Sequence, residues 1–345
     1  MRKLLTAAFI AMLALAGPAW VPAWAAPDYR AINAAAVQTH ILPRLSKLET
    51  DTRAFADAAA KPGCGEREAL QNSWRQAMLA WQGVQHLRFG PVLLFNRYQR
   101  FAYWPDPRNS IPRQLNELFA SGKLPDFHAG SIAVQGMGAL ESVLFDAKET
   151  AKLEQEPFRC QWLQAAAQNL AAMAKDINAD WGNGRNYAEQ FVAAKGDLVV
   201  YAGPEEATLD LFKALHAAIE LAADHKLARP MGKTPREQKP MAAEYWRSGN
   251  SGPAIAANIA AARELFTAFA PRVPDRALAD DLGKRLNDLA ERTANLHLED
   301  ALADPAARPA LEKLRADLLA VKSLLAEKLA PAMEIPVGFN ALDGD

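Results

Sequence analysis

Cysteine is scarce: Cys64 and Cys160 are the only two in 345 residues. A thiolate metal site would recruit a neighbouring His or a further Cys, and neither spacing offers one. The pair therefore reads as a single disulfide, the form two cysteines take in an oxidising compartment. Runs of basic residues are missing as well, and the formal net charge is only -1. Nucleic acid is thereby excluded as a partner, because phosphate binding depends on clustered Lys and Arg. Strand-like alternation is confined to Asp197-Leu198-Val199-Val200-Tyr201, too short to found a sheet. Past the N-terminus, no stretch approaches the roughly 20 continuous apolar residues of a membrane span. The six histidines are scattered, with no HExxH among them, and GxSxG, P-loop and dinucleotide fingerprints are all absent.

The first 25 residues have the pattern of a cleaved export signal. Arg2 and Lys3 precede an apolar segment, residues 4–16, which Gly17 and Pro18 break. Ala23-Trp24-Ala25 then supplies a small-x-small cleavage site. Removal of this segment shifts the formal charge to -3. The expectation is a periplasmic protein without a membrane span.

The remainder reads as helices. Leu70, Trp74, Met78 and Trp81 step by four, four and three, one face of an amphipathic helix. Leu278, Leu282, Leu286 and Leu289 do the same, as do Leu311, Leu314, Leu318, Val321, Leu325 and Leu329 before Pro331. Ile255, Ile259, Leu265, Phe266 and Phe269 mark another helix. The fold class is all-α, built as packed helical bundles. Trp181-Gly182-Asn183-Gly184 is the best place to divide them, into bundles over residues 26–185 and 186–345.

One stretch breaks two helix rules. In SIAVQGMGALESVLF, residues 131–145, Val134, Met137, Leu140 and Leu144 keep helical spacing, yet Gly136 and Gly138 interrupt them and Glu141 joins the apolar stripe. An interior Gly costs about 1 kcal/mol relative to Ala, and a carboxylate facing a core costs more unless it finds a partner. Two readings stand: a structural ion pair, or a site where Glu141 meets a cation or polar ligand. Arg97 and Arg100, interleaved with aromatic residues just upstream, are the nearest candidate partners, with groups between Glu244 and Ser251 as the alternative. His216 and Glu220 lie four apart on one helix with His225 beyond, but a lone His and Glu do not complete a zinc site. His86 shares a helix with Trp81 and reads as structural.

The order and spacing of several pieces resemble the imelysin-like family, also called peptidase M75. These are Phe89-Gly90-Pro91, Trp104-Pro105-Asp106, Gln135-Gly136 through Glu141, Leu144-Phe145, Glu244 through Ser251, and the tail at residues 338–345. The resemblance implies two packed four-helix bundles with a functional site near their junction, in a periplasmic or outer-surface protein often linked to iron uptake. The family motif is G-x-H-x-x-E. Gly136 and Glu141 match its ends, but Gly138 stands where the histidine belongs. The loss weakens the metallopeptidase reading and favours a non-catalytic binding protein.

The candidate ligand set is therefore Glu141, Gly136, Gly138, Arg97, Arg100, Trp104 and Asp106, joined by Glu244, Ser248 and Ser251 from the second half. The resemblance implies iron or zinc as the metal, with Glu141 its candidate ligand, and components of iron or haem uptake as partners. A pure interaction module is the third reading.

Overall fold

In the computed structural model the chain is described over residues 27–195 and 200–336, and no strand occurs among them. The expected export signal at residues 1–25 and the tail at residues 338–345 lie outside these residues, as does all but the end of the strand-like segment.

Asp28 opens the first helix, its carboxylate accepting the Ala31 amide at 3.0 Å. Helix α1 (Tyr29–Ala36) passes through a π-helical turn, Val37–Ile41, into α2 (Leu42–Ala59). After a tight turn, α3 (Arg67–Gln82) buries the predicted stripe of Leu70, Trp74, Met78 and Trp81. Short helices α4 (Arg97–Phe101) and α5 (Ser110–Ser121) lead to α6 (Met137–Phe145), α7 (Ala147–Gln155) and the long α8 (Pro157–Trp181).

Helix α9 (Tyr187–Ala193) precedes α10 (Pro204–Glu220), a second π-helical turn (Leu221–Leu227) and α11 (Ala228–Met231). Then come α12 (Ser251–Phe269), α13 (Arg276–Ala294), α14 (Leu298–Ala303), α15 (Arg308–Leu324) and α16 (Ala330–Ala332). A third π-helical turn, Leu325–Leu329, joins the last two, so Pro331 sits inside the final helical turn rather than ending the run before it.

Helix α2 lies between α3 and α8, and α6 packs on α3, α5 and α7. The second group is α10, α12, α13 and α15, with α1 docked on α10 and α12. Contact of α12 with α3 joins the two groups, and one continuous apolar cluster runs from Ile32 to Ile335. Trp74, Trp81, Trp162 and Trp181 are fully buried in it; complete burial of a large apolar side chain contributes about 1.5–3 kcal/mol. Cys64 and Cys160 are joined, Cα atoms 5.6 Å apart, tying the turn after α2 to α8. Among the described residues, no helix is long and apolar enough to cross a membrane.

Residues 131–145 do not form one helix. Helix α6 begins only at Met137, so Val134 belongs to a separate 3-10 turn, Ile132–Val134. Gly136, at φ 151°, is the hinge between them. A Cβ on Gly136 would stand 2.6 Å from the Arg100 carbonyl oxygen and 2.8 Å from that of Phe101, so no side chain fits there.

Candidate functional site

Helix α6 delivers Glu141 to the place where the two helix groups meet, against the turn Trp246–Ser248. The residue is 3 % exposed. Its Oε1 accepts two hydrogen bonds from Ser248, from the backbone N–H at 2.9 Å and from Oγ at 2.9 Å. The same hydroxyl lies 3.0 Å from the Tyr245 carbonyl. A hydroxyl has one proton, so it serves one acceptor at a time. Oε2 receives no hydrogen bond from the described residues and is not sealed from solvent, so it is the oxygen that meets the space beyond.

That space is a cleft of about 610 Å³. Tyr103, Trp104, Pro105 and Trp246 give it apolar walls, Gly138 and Glu141 lie on its α6 side, and Arg229, Lys239 and Arg247 bring positive charge. Gly138 leaves room here, since a Cβ would meet only Ile111 Cδ1, at 3.2 Å, and the Tyr103 carbonyl oxygen at 3.8 Å. Burial pushes the Glu141 carboxyl up to about 7, against the opposing pull of the Ser248 hydrogen bonds and the Arg247 charge. Glu244 nearby pushes in the same direction as burial.

Glu244 lines the cleft from the other side and has its own cation. The Lys226 ammonium lies 2.7 Å from Glu244 Oε2, both side chains 2 % exposed. This contact lies outside hydrogen-bond angles, while Gln85 Nε2 donates to Oε1 at 3.4 Å. Lys226 also donates to Gln82, to Gln85 at 3.0 Å and to Asn258 at 2.6 Å. Such caging is what a buried ammonium requires. Lys226 is not among the residues singled out from the sequence; its helical spacing from Ile219 and Ala223, both fully buried, is the signal that marks it.

The other expected residues sort as follows. Trp104 lines the cleft. Asp106 also borders it, but its carboxylate accepts the Ser110 and Ile111 amides, both at 2.8 Å, and so caps α5. Gly136 shapes the backbone and does not line the cleft. Ser251 starts α12, its amide donating to Glu299 Oε1 at 3.1 Å, and its hydroxyl is buried away from the cleft.

Arg97 and Arg100 are a correction. Neither reaches Glu141: Arg97 pairs with Asp180 at 2.7 Å and Asp176 at 3.6 Å, and Arg100 binds Gln135 and Asn169. Helix α4 packs on α8, which turns both guanidinium groups away from α6.

His216 sits 3.7 Å from Glu220. His86 and His40 are buried with their Nε2 atoms 2.8 Å apart, and His40 Nδ1 meets Glu264 Oε1 at 3.0 Å. Among the described residues, His86 Nδ1 has no hydrogen-bond partner. Burial lowers both histidines, His86 well below the ordinary value, and so favours their neutral forms.

A resident metal does not fit these residues. Glu141 offers one oxygen, Glu244 is occupied by Lys226, and the motif position for an imidazole is Gly138. Among the described residues, no three His, Cys, Asp or Glu side chains come together to hold an ion.

Comparison with solved structures finds an imelysin-like protein from Psychrobacter arcticum 273-4, 20 % identical, with a TM-score of 0.75 over 91 % of this chain and 99 % of that one. A protein assigned as an iron-regulated protein A precursor from Parabacteroides distasonis ATCC 8503 is 16 % identical. Its TM-score is 0.71, over 87 % of this chain and 95 % of its own. At these identities the likeness concerns the fold. No curated protein matches the chain significantly. The imelysin family model, peptidase M75, matches residues 35–325, and the chain belongs to the imelysin family.

Proposed function

We propose that this chain is an exported, periplasmic binding protein of iron uptake whose cleft at Glu141 receives a metal held by its own organic ligand. The observation that carries the reading is the Glu141 carboxylate itself. It is buried, lacks an ion-pair partner among the described residues, is anchored through one oxygen by Ser248, and has its other oxygen turned to the cleft. A buried carboxylate without a countercharge is costly and concentrates at functional sites.

The cleft has too few donors for a bare ion. A chelated metal brings its donors with it, and Arg229, Lys239 and Arg247 suit the carboxylates of a chelate. Tyr103, Trp104 and Trp246 supply flat apolar contacts for its body. The iron association rests on the family resemblance and on the iron-regulated neighbour.

Trp104 and Trp246 make the test optical. Ferric citrate is expected to quench tryptophan fluorescence saturably, whereas citrate and zinc chloride alone are not. Glu141→Ala is expected to weaken the ferric citrate response at least tenfold. A flat titration, or an unchanged response in that variant, contradicts the proposal.

A further inference from the structure

A second concavity, of about 1120 Å³, lies on another face of the first helix group, between α4, α8 and the segment around residues 124–132. Arg100 lines it while only 5 % exposed. An arginine cannot shed its proton in a protein, so it stays charged where it sits. Among the described residues, the hydrogen-bond partners of this guanidinium are all neutral oxygens. Nε donates to Gln135 Oε1 at 3.2 Å, one terminal nitrogen to Asn169 Oδ1 at 3.1 Å, and the other to the Phe95 carbonyl at 3.5 Å.

Among the described residues, none of the nearby acids forms an ion pair with Arg100. Asp176 and Asp180 pair with Arg97. Asp126, whose field reaches Arg100, accepts the His128 and Ala129 amides at 2.7 and 3.1 Å. Burial and the Arg97 charge both work against the Arg100 cation. Three of its five N–H donors are used, leaving two to meet a further acceptor. Asn169 Nδ2 also donates to Gln135 Oε1 at 3.3 Å, so the two amides orient one another as well as the guanidinium.

The lining is mixed: Asp126, His128 and Asp176 border the groove beside an apolar strip. Phe95 is 66 % exposed and Leu124 41 %, and Phe127, Ile132 and Met173 continue the lining. Phe95 and Asn96 hold consecutive left-handed conformations, φ 56° and 58°. A bulky residue adopts this region rarely and under strain. The Arg97 guanidinium carbon lies 5.3 Å from the Phe95 ring centroid and so helps hold that ring at the groove edge.

We infer that this groove is a second binding site, distinct from the Glu141 cleft, for a monocarboxylate with an apolar body, the carboxylate meeting Arg100 and the body lying on Phe95, Leu124 and Phe127. A guanidinium fixed by neutral amides is preorganised for a planar, bidentate acceptor.

The test is calorimetric titration of the mature protein with dodecanoate and with 1-naphthylacetate, using dodecanol as the uncharged comparison. At least one acid is expected to bind saturably, and the tighter of the two identifies the body as chain or ring. Arg100→Gln is expected to lose at least tenfold in acid affinity with dodecanol unchanged. Should that variant not fold, Asn169→Asp decides, because it places a carboxylate against the same guanidinium and is expected to abolish acid binding. Phe95→Asn, which suits the left-handed backbone, is expected to weaken the tighter acid. Absence of saturable binding to the native protein overturns the proposal. So does native-like acid affinity in whichever of Arg100→Gln and Asn169→Asp folds.

Discussion

Ser248 gives Glu141 two hydrogen bonds on a single oxygen, both 2.9 Å, across 107 residues of sequence. These bonds fix the carboxylate without neutralising it. The serine is neutral, and Arg247, the nearest favourable charge, forms no ion pair with Glu141. The electrostatic cost of burial therefore remains, and it is measurable.

Stability should carry the imprint of Glu141. Its folded-state value of about 7 lies above the ordinary 4.5, so the native protein keeps this proton to higher pH than the unfolded chain does. The contribution is present below pH 4.5 and lost as pH rises through 7, on the order of 3 kcal/mol in all. His40 and His86 act oppositely: their folded-state values are lowered, so their stabilisation is present above about pH 6.5 and declines as pH falls below it. Comparison with Glu141→Gln isolates the first slope. At pH 8 this variant should be as stable as the native protein or more so in urea melts; a loss of several kcal/mol there would mean that an opposite charge had been left unmatched.

Lys226 and Glu244 should behave as a unit. Lys226→Met strands a buried carboxylate and should cost about 3–5 kcal/mol. Adding Glu244→Gln should recover much of that loss, because no buried charge is then left alone. Denaturant midpoints of the two single variants and the double variant give the coupling. Purely additive losses would contradict the pairing.

The disulfide closes a long loop, its half-cystines separated by 96 residues. Replacing Cys64 and Cys160 together by Ala should lower stability by about 4.7 kcal/mol in the chain-entropy model. Equal urea midpoints for the double variant and the oxidised native protein would refute it.

Much of the helical plan could be read from spacing. Leu70, Trp74, Met78 and Trp81 were legible because a helix returns to the same face every three or four residues, and the core takes that face. The burial of Glu141 was legible on the same ground. Its partner was ambiguous: Ser248 lay within the weaker alternative, while Arg97 and Arg100 were favoured by proximity in sequence and by charge. Proximity misled because the backbone reverses at Phe95 and Asn96 and α4 then packs on α8. The interruption at Gly136 was hidden for a similar reason: its cause is the Arg100 and Phe101 carbonyl oxygens, which are distant in sequence.

Gly138 offers a gain-of-function test. Its backbone is helical, and the nearest obstacle to a Cβ is the flexible end of Ile111. Gly138→His should therefore fold with a stability change within about 1 kcal/mol. It sets an imidazole one turn from Glu141, and because a His and a Glu alone make an incomplete site, weak zinc affinity should appear in competition with a chromophoric chelator. A variant that binds zinc no better than the native protein would argue against a lost metal ligand at this position.

The most direct measurement is the carboxyl 13C resonance of Glu141 in selectively labelled protein, followed against pH and then with ferric citrate added. The account predicts a midpoint near 7 and paramagnetic broadening by the ferric chelate that gallium citrate does not produce. A midpoint near the ordinary 4.5, together with a signal left sharp by the ferric chelate, would contradict it.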